Sequence, residues 1–277
     1  MAGTTGKPAA TPAATPDAKP AASPDAKPTR AKPALARPAA IRSGTPAPET
    51  SRYLSRAHRA ARFVAQRVLL RPVVAASVDV DVAGTELLDG LDSLGGAFVL
   101  VANHSSHLDA ALLVTRLPWR VSRNLALGAA ADYFHDVWWR RMVTGLFFNT
   151  FPVDRTGSGT GRGLAFLLVD VGVPVVVFPE GTRSRDGKMG PFTPGAALIA
   201  RRGRVPCVPV AIIGAHDAMP PGRAWWPKRG RRPVRMIVGE PVVARKGERI
   251  PDFAARIEEA VRQMHASGRP VRQPPVH

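Results

Sequence analysis

Two short polar clusters hold most of the residue types that could do chemistry here, and each follows an apolar run. The first is VANHSSHLD, residues 101–109, in which His104 and Asp109 stand five positions apart. With His104 at a strand end and Asp109 in the first turn of the next helix, the carboxylate can reach back to one imidazole nitrogen. The other nitrogen is then left to accept a proton, the division between base and orienting carboxylate in a catalytic triad. The same residues also fit a helix start, with Ser105 or Ser106 as cap and Asp109 placed well near a helix N-terminus. Spacing alone leaves both readings open. His104, His107 and Asp109 match no standard metal-ligand spacing and no further ligand cluster accompanies them, so no metal is expected.

The second cluster is VFPEGTRSRDG, residues 177–187. It places Glu180, Gly181, Thr182 and Arg183 where a strand hands over to a loop. Glycine permits close backbone approach to a ligand, and Arg183 offers a planar fork for phosphate. A plain polar surface loop would read the same way, and Arg185 and Asp186 are read as solvated turn charges. Arg155, after the short apolar segment FPVD, is by itself a surface residue. The glycine-rich GSGTGRG that follows lacks the Lys-Ser/Thr ending of a P-loop and does not fit the dinucleotide fingerprint. Cys207 is expected as a small buried hydrophobe. Trp225 and Trp226, set among Arg223, Lys228, Arg229, Arg231, Arg232 and Arg235, fit a lipid headgroup region, a nucleic-acid surface or a solvated basic loop.

The elements that must position these residues alternate in type. Continuous apolar runs at 97–102, 173–178 and 208–213 predict strands buried on both faces. A half-buried strand is expected at 78–82 and another at 234–239. Helices are expected over 52–72 (closing before Pro72), 107–117, 130–145, 160–171, 194–202 and 251–266, with a short helix or turn in TELLDGLDSL. The alternation predicts an α/β fold, a single domain with a largely parallel central sheet flanked by helices. In such a sheet, ligands bind outside the carboxyl ends of the strands, which is where both clusters fall.

Pro and Ala supply 25 of the first 50 residues, and no large aliphatic residue precedes Leu35. Nothing there offsets the entropy of ordering a chain, so residues 1–50 are expected to be a disordered tail. Residues 51–74 are expected as a basic helix at a membrane interface, 75–266 as the catalytic domain, and 267–277 as a flexible terminus. No segment has the apolar length of a signal peptide or a spanning helix. One cysteine in the chain excludes an internal disulfide and any cysteine-based zinc site. The net charge is +18, of which the tail holds +4 (seven Lys/Arg against three Asp/Glu), leaving +14 on the rest. Such a balance predicts anionic partners: a membrane surface, phosphate-bearing substrates or nucleic acid.

Taken together, four blocks in order resemble the glycerophospholipid acyltransferase family, in its 1-acyl-glycerol-3-phosphate branch. The N-H-x4-D block is matched by Asn103, His104 and Asp109. The Arg-ended block is matched by FPVDR at Arg155, F-P-E-G-T-R-S by Phe178 to Ser184, and the apolar block with a central proline by VPCVPVAII with Pro209. Thr193 and Pro194 stand where relatives often carry a basic residue. The resemblance implies a lysophospholipid hydroxyl as nucleophile, His104 as its base, Asp109 as the orienting partner, and acyl-CoA or acyl carrier protein as donor. It also implies that Glu180, Gly181, Thr182 and Arg183 hold the glycerol-phosphate part, with Arg155 a further phosphate contact. No cofactor is required, nucleic acid is not the expected partner, and the expected place is the cytoplasmic face of the cell membrane, peripheral or monotopic. Other lysophospholipids or an aminolipid are alternative acceptors. A serine hydrolase with its own acyl-enzyme is disfavoured, because no G-x-S-x-G elbow occurs.

Overall fold

A computed structural model of the chain describes residues 1–3, 48–91, 96–130, 138–153, 160–222 and 230–271, and the unit discussed below is 35–277. Its strands are β1 (Val78–Ala83), β2 (Val99–Ala102), β3 (Ala126–Ala130), β4 (Phe151–Val153), β5 (Val175–Val177), β6 (Cys207–Ile213) and β7 (Arg232–Val238). Its helices are α1 (Ser51–Leu54), α2 (Arg56–Phe63), α3 (Arg71–Ser77), α4 (Leu108–Arg116), α5 (Trp119–Ser122), α6 (Trp138–Phe148), α7 (Thr160–Asp170), α8 (Gly195–Gly203), α9 (Ala215–Ala218) and α10 (Ile250–Ser267). The strands form one sheet in the order β1-β7-β6-β2-β5-β3-β4. Every pairing is parallel except β6 with β7, so β1 and β7 run against the rest.

Alternation along β2 explains its unbroken apolar run. Leu100 and Ala102 enter a core layer with Leu112 and Leu113 of α4, whereas Val99 and Val101 enter one with Leu168 of α7, Ala197 of α8 and Phe253 of α10. Each face must be apolar when helices cover both. The expected strands at 97–102, 173–178 and 208–213 are thus present as β2, β5 and β6, the first two shortened and the third begun one residue earlier. β3 and β4 were not expected. The ALGAA of β3 has no β-branched residue, and its Gly128 is required because a Cβ there would come within 2.8 Å of Val153 Cγ2 on β4. Of the helix expected at 130–145, Ala130 belongs to β3, and the described part is α6, which runs on to Phe148.

The N-terminal helical run also departs from expectation. It breaks at Ser55, whose extended backbone (ψ 129°) separates α1 from α2. From there it continues to Ser77 and does not close before Pro72. Residues Val64–Leu70 form a π-helical stretch, and Arg71 N–H bonds back to Gln66 C=O. Pro72 then sits in the first turn of α3, where the wider turn before it accommodates a ring that has no N–H to give. Arg67 anchors the run by donating to Thr115 and Leu117 carbonyls at the end of α4 (both 3.0 Å) and to Ser122 Oγ (3.0 Å). Among the described residues, no helix is long and apolar enough to cross a membrane. The tail expected at 1–50 lies mostly outside the described residues, as do Trp225, Trp226 and residues 272–277.

Candidate active site

β2 is flanked by β5 and β6, and the chain leaves its carboxyl end through Asn103 and His104. Asn103 extends the pairing by a side chain: Nδ2 donates to Ile212 C=O (2.9 Å) and Oδ1 accepts Ile212 N–H (2.8 Å). This fixes the point from which His104 departs. The His104 ring lies against Phe178, with centroids 4.0 Å apart and planes 18° from parallel. Its Nδ1 meets Asp109 Oδ2 at 2.9 Å, with the carboxylate fully buried and the imidazole 20% exposed. Nδ1 is then the donor, and Nε2 is the ring nitrogen left to accept a proton.

Asp109 serves two purposes at once. The same Oδ2 accepts Ser105 N–H (2.7 Å) and Ser106 N–H (2.8 Å), so it closes the turn into α4 as well as orienting the ring. Helix capping and orientation of the His104 ring, which spacing could not separate, coincide in one carboxylate. Ser106 holds the turn from the other side, accepting Leu108 N–H (3.1 Å) and donating to Met219 C=O (2.7 Å). Among the described residues no group of three His, Cys, Asp or Glu is placed to hold a metal ion.

The second cluster reaches the first through Glu180. Its Oε1 accepts the backbone N–H of His104 (2.7 Å) and its Oε2 that of Gly190 (2.8 Å). Burial pushes the Glu180 carboxyl above its usual range, and the two N–H groups partly offset this. A third link runs from Ser184 N–H to His104 C=O (2.9 Å). The turn needs Gly181 in the left-handed region (φ +72°), and both Gly181 and Thr182 are exposed. Thr193, which replaces the expected basic residue, closes the loop by donating N–H (2.9 Å) and Oγ1–H (2.8 Å) to Pro179 C=O.

Arg183 is half-buried, and its Nη1 donates to His107 Nε2. Burial first, then the Arg183 charge, then His104, holds the His107 imidazole down to about 4. It is therefore neutral near pH 7 and able to accept from the guanidinium. His104, Asp109, Glu180 and Arg183 thus converge on one end of the sheet, beside the exposed Gly181 and Thr182. Arg155 lies outside the described residues. Phe178 and Gly190 were not singled out from sequence beyond their place in a motif or glycine count. A ring stack and a close contact across the fold leave no local signal.

A family model described as "Acyltransferase" matches residues 79–213, which span β1 to β6. A chloroplastic 1-acyl-sn-glycerol-3-phosphate acyltransferase of Brassica napus is 41% identical over 177 residues, covering 63% of this chain and 48% of that protein. A chloroplastic enzyme of the same description from Arabidopsis thaliana is 37% identical, over 59% of this chain and 44% of its own length. The chain therefore spans about half the length of these curated relatives. Among solved structures, the 1-acyl-sn-glycerophosphate acyltransferase PlsC of Thermotoga maritima superposes with a TM-score of 0.56 at 26% identity, covering 78% of this chain and 85% of that one.

Proposed function

We propose that this chain, similar over 63% of its length to a 1-acyl-sn-glycerol-3-phosphate acyltransferase, moves an acyl group from a thioester onto the free hydroxyl of 1-acyl-glycerol-3-phosphate, giving phosphatidic acid. The observation that carries this reading is the 2.9 Å pairing of His104 Nδ1 with buried Asp109 at the carboxyl end of β2. It leaves Nε2 of His104 to act as the base. The acceptor hydroxyl gives its proton to Nε2 as its oxygen bonds to the thioester carbonyl carbon. The C–S bond then breaks, and the departing thiolate takes the proton back from the imidazolium. Asp109 fixes the ring tautomer and stabilises the imidazolium between these steps.

The donor is acyl-CoA or acyl carrier protein, both of which present the same thioester. Arg183, held by His107, is assigned to the acceptor phosphate, with Arg155 as a second contact and the exposed Gly181–Thr182 turn beside the glycerol. Glu180, with both oxygens occupied by backbone N–H groups, supports His104 from behind. The enzyme works at the surface of an anionic membrane, where its acceptor resides. Purified protein supplied with mixed acyl-CoAs, acyl carrier protein thioesters and a panel of lysolipids tests this, with products identified by mass spectrometry. Phosphatidic acid formed from 1-acyl-glycerol-3-phosphate is the expected product. Acylation only of other lysolipids, or of none, would overturn the assignment.

A further inference from the structure

We infer that Arg52, Arg59 and Arg62 form a phosphate-binding site at the amino ends of β3 and β4, the opposite end of the sheet from His104. Arg62 is 3% exposed, and its Nη1 donates to Asn149 Oδ1 (3.1 Å). Among the described residues its Nε and Nη2 meet no acceptor, and neither does Nε of half-buried Arg59. Nε and Nη2 form one edge of the guanidinium, spaced to take two oxygens of a single phosphate. Arg52, on the solvent side, donates to Thr150 C=O (2.7 Å) and lies over the Tyr53 ring with its guanidinium carbon 4.6 Å from the centroid. Asn149 and Thr150 directly precede β4, and Asn149 Nδ2 donates to Leu125 C=O (3.1 Å) just before β3. Since β4, β3, β5 and β2 are all parallel, these residues lie at the amino ends while His104 follows the carboxyl end of β2.

A buried guanidinium with an unfilled edge is costly unless an anion completes it. Among the described residues no carboxylate forms an ion pair with any of the three arginines. Burial, then Arg59, then Arg52 press Arg62 down to about 10, which marks like charges gathered without a counter-ion. Arg67, one turn further along, lacks an acceptor only at Nε, while its terminal nitrogens have three acceptors; Arg62 by contrast leaves Nη2 as well as Nε unmatched. The phosphate has two possible sources. Exposed Phe63 and Val64 follow Arg62 directly, so a phospholipid headgroup could seat there with its chains on apolar surface; free phosphate offers the same oxygens.

The test uses the full chain and three charge-matched variants: Arg59→Gln, Arg62→Gln, and Arg56→Gln as an exposed control on the same helix. Inorganic phosphate, against chloride at equal ionic strength, is expected to raise the wild-type Tm by about 5 °C. Arg56→Gln should keep that response, while Arg59→Gln and Arg62→Gln lose it. Sedimentation with phosphatidylcholine vesicles, with and without phosphatidylglycerol, separates the sources. A loss of fivefold or more in binding to the anionic vesicles, confined to the Arg59 and Arg62 variants, assigns the site to a headgroup. Unchanged vesicle binding with the Tm response abolished assigns it to free phosphate. A wild-type Tm no higher in phosphate than in chloride, or an equal response in all variants, overturns the proposal. Acyl transfer to micellar lysolipid should stay within twofold in Arg59→Gln, so this site and the catalytic one are judged separately.

Discussion

Asp109 Oδ2 receives three donors while its Oδ1, also buried, meets none. In Asp109→Asn the amide nitrogen can take the empty Oδ1 position, so the geometry survives and only the charge is lost. That variant and His104→Ala are each predicted to lower kcat by about 10²–10⁴ with folding retained. Because the pair acts as a unit, the double variant should be little worse than either single one. Activity of His104→Ala within tenfold of wild type would sink the mechanism. His107 provides a test in pH. Its folded value of about 4 lies below the ordinary 6.5, so between these values the unfolded chain takes a proton that the folded chain refuses. Its contribution is full above pH 6.5 and is lost as pH falls towards 4. Glu180, raised by burial, acts in the opposite direction, so the useful quantity is the difference between wild type and His107→Gln. Denaturant unfolding at pH 7 and pH 4.5 should show wild type losing about 1–2 kcal/mol more than the variant, after allowance for partial exposure. Equal losses would mean His107 is not held neutral.

The β5 loop and the β2 turn are joined by Glu180, which grips the backbone of His104 and of Gly190 in one carboxylate. A group gripping the backbone of the proposed base, His104, should alter the rate more than acceptor affinity. Glu180→Gln keeps one acceptor oxygen and turns an NH₂ towards a backbone N–H. It is predicted to lower kcat about tenfold while acceptor KM stays within threefold. Gly190→Ala probes the same clasp from its far side, because the new Cβ would stand 3.3 Å from Glu180 Oε2; a smaller loss in kcat is expected. A raised acceptor KM at unchanged kcat in Glu180→Gln would instead make Glu180 a substrate ligand. How much of this was legible follows from the same geometry. β2, β5 and β6 were readable because burial on two faces forces continuous apolar residues. β3, built of small residues, and the three-residue β4 carry no such pattern. The reversal of β7 against β6 depends on how the chain crosses, not on composition. His104 and Asp109 stand five apart and could be paired by spacing, whereas Glu180 meets His104 across 76 residues and Asn103 meets Ile212 across 109. Periodicity cannot report such contacts: the polar cluster brought Glu180 into view and the family resemblance brought Asn103, but neither paired them with their partners.

For the molecule as a whole, the proposed activity requires a surface that meets lipid. Read at 100° per residue, five arginines from Arg56 to Arg71 suggest electrostatic attachment. The fold redirects two of them: Arg62 is buried and Arg67 holds the end of α4, leaving Arg56, Arg59 and Arg71 at least partly exposed. The π-helical stretch meanwhile changes the apolar register. Val64, Val68, Leu69 and Val73 follow steps of four, one and four, the spacing of a wider turn, and are 50%, 57%, 54% and 47% exposed. Phe63 joins them at 43%, as do Met142 (64%) and Leu146 (40%) on α6, which packs beside this run. Burying the exposed half of each such side chain contributes about 1 kcal/mol. Each exposed arginine near an anionic surface adds about 1 kcal/mol before screening. Seven apolar groups against three cations predict that any attachment to a membrane is mainly hydrophobic, with a modest electrostatic part. Deleting residues 1–46 should therefore leave vesicle binding nearly unchanged. The triple variant Val64→Ser, Val68→Ser, Leu69→Ser changes only exposed side chains, so the fold should persist while affinity falls about tenfold or more on both neutral and anionic vesicles. Raising salt should weaken wild-type binding by a smaller factor than the triple variant loses. Co-sedimentation at low and high salt measures both. Binding of the triple variant within twofold of wild type, or wild-type binding abolished by salt alone, would show that the arginines and not the apolar run carry the attachment.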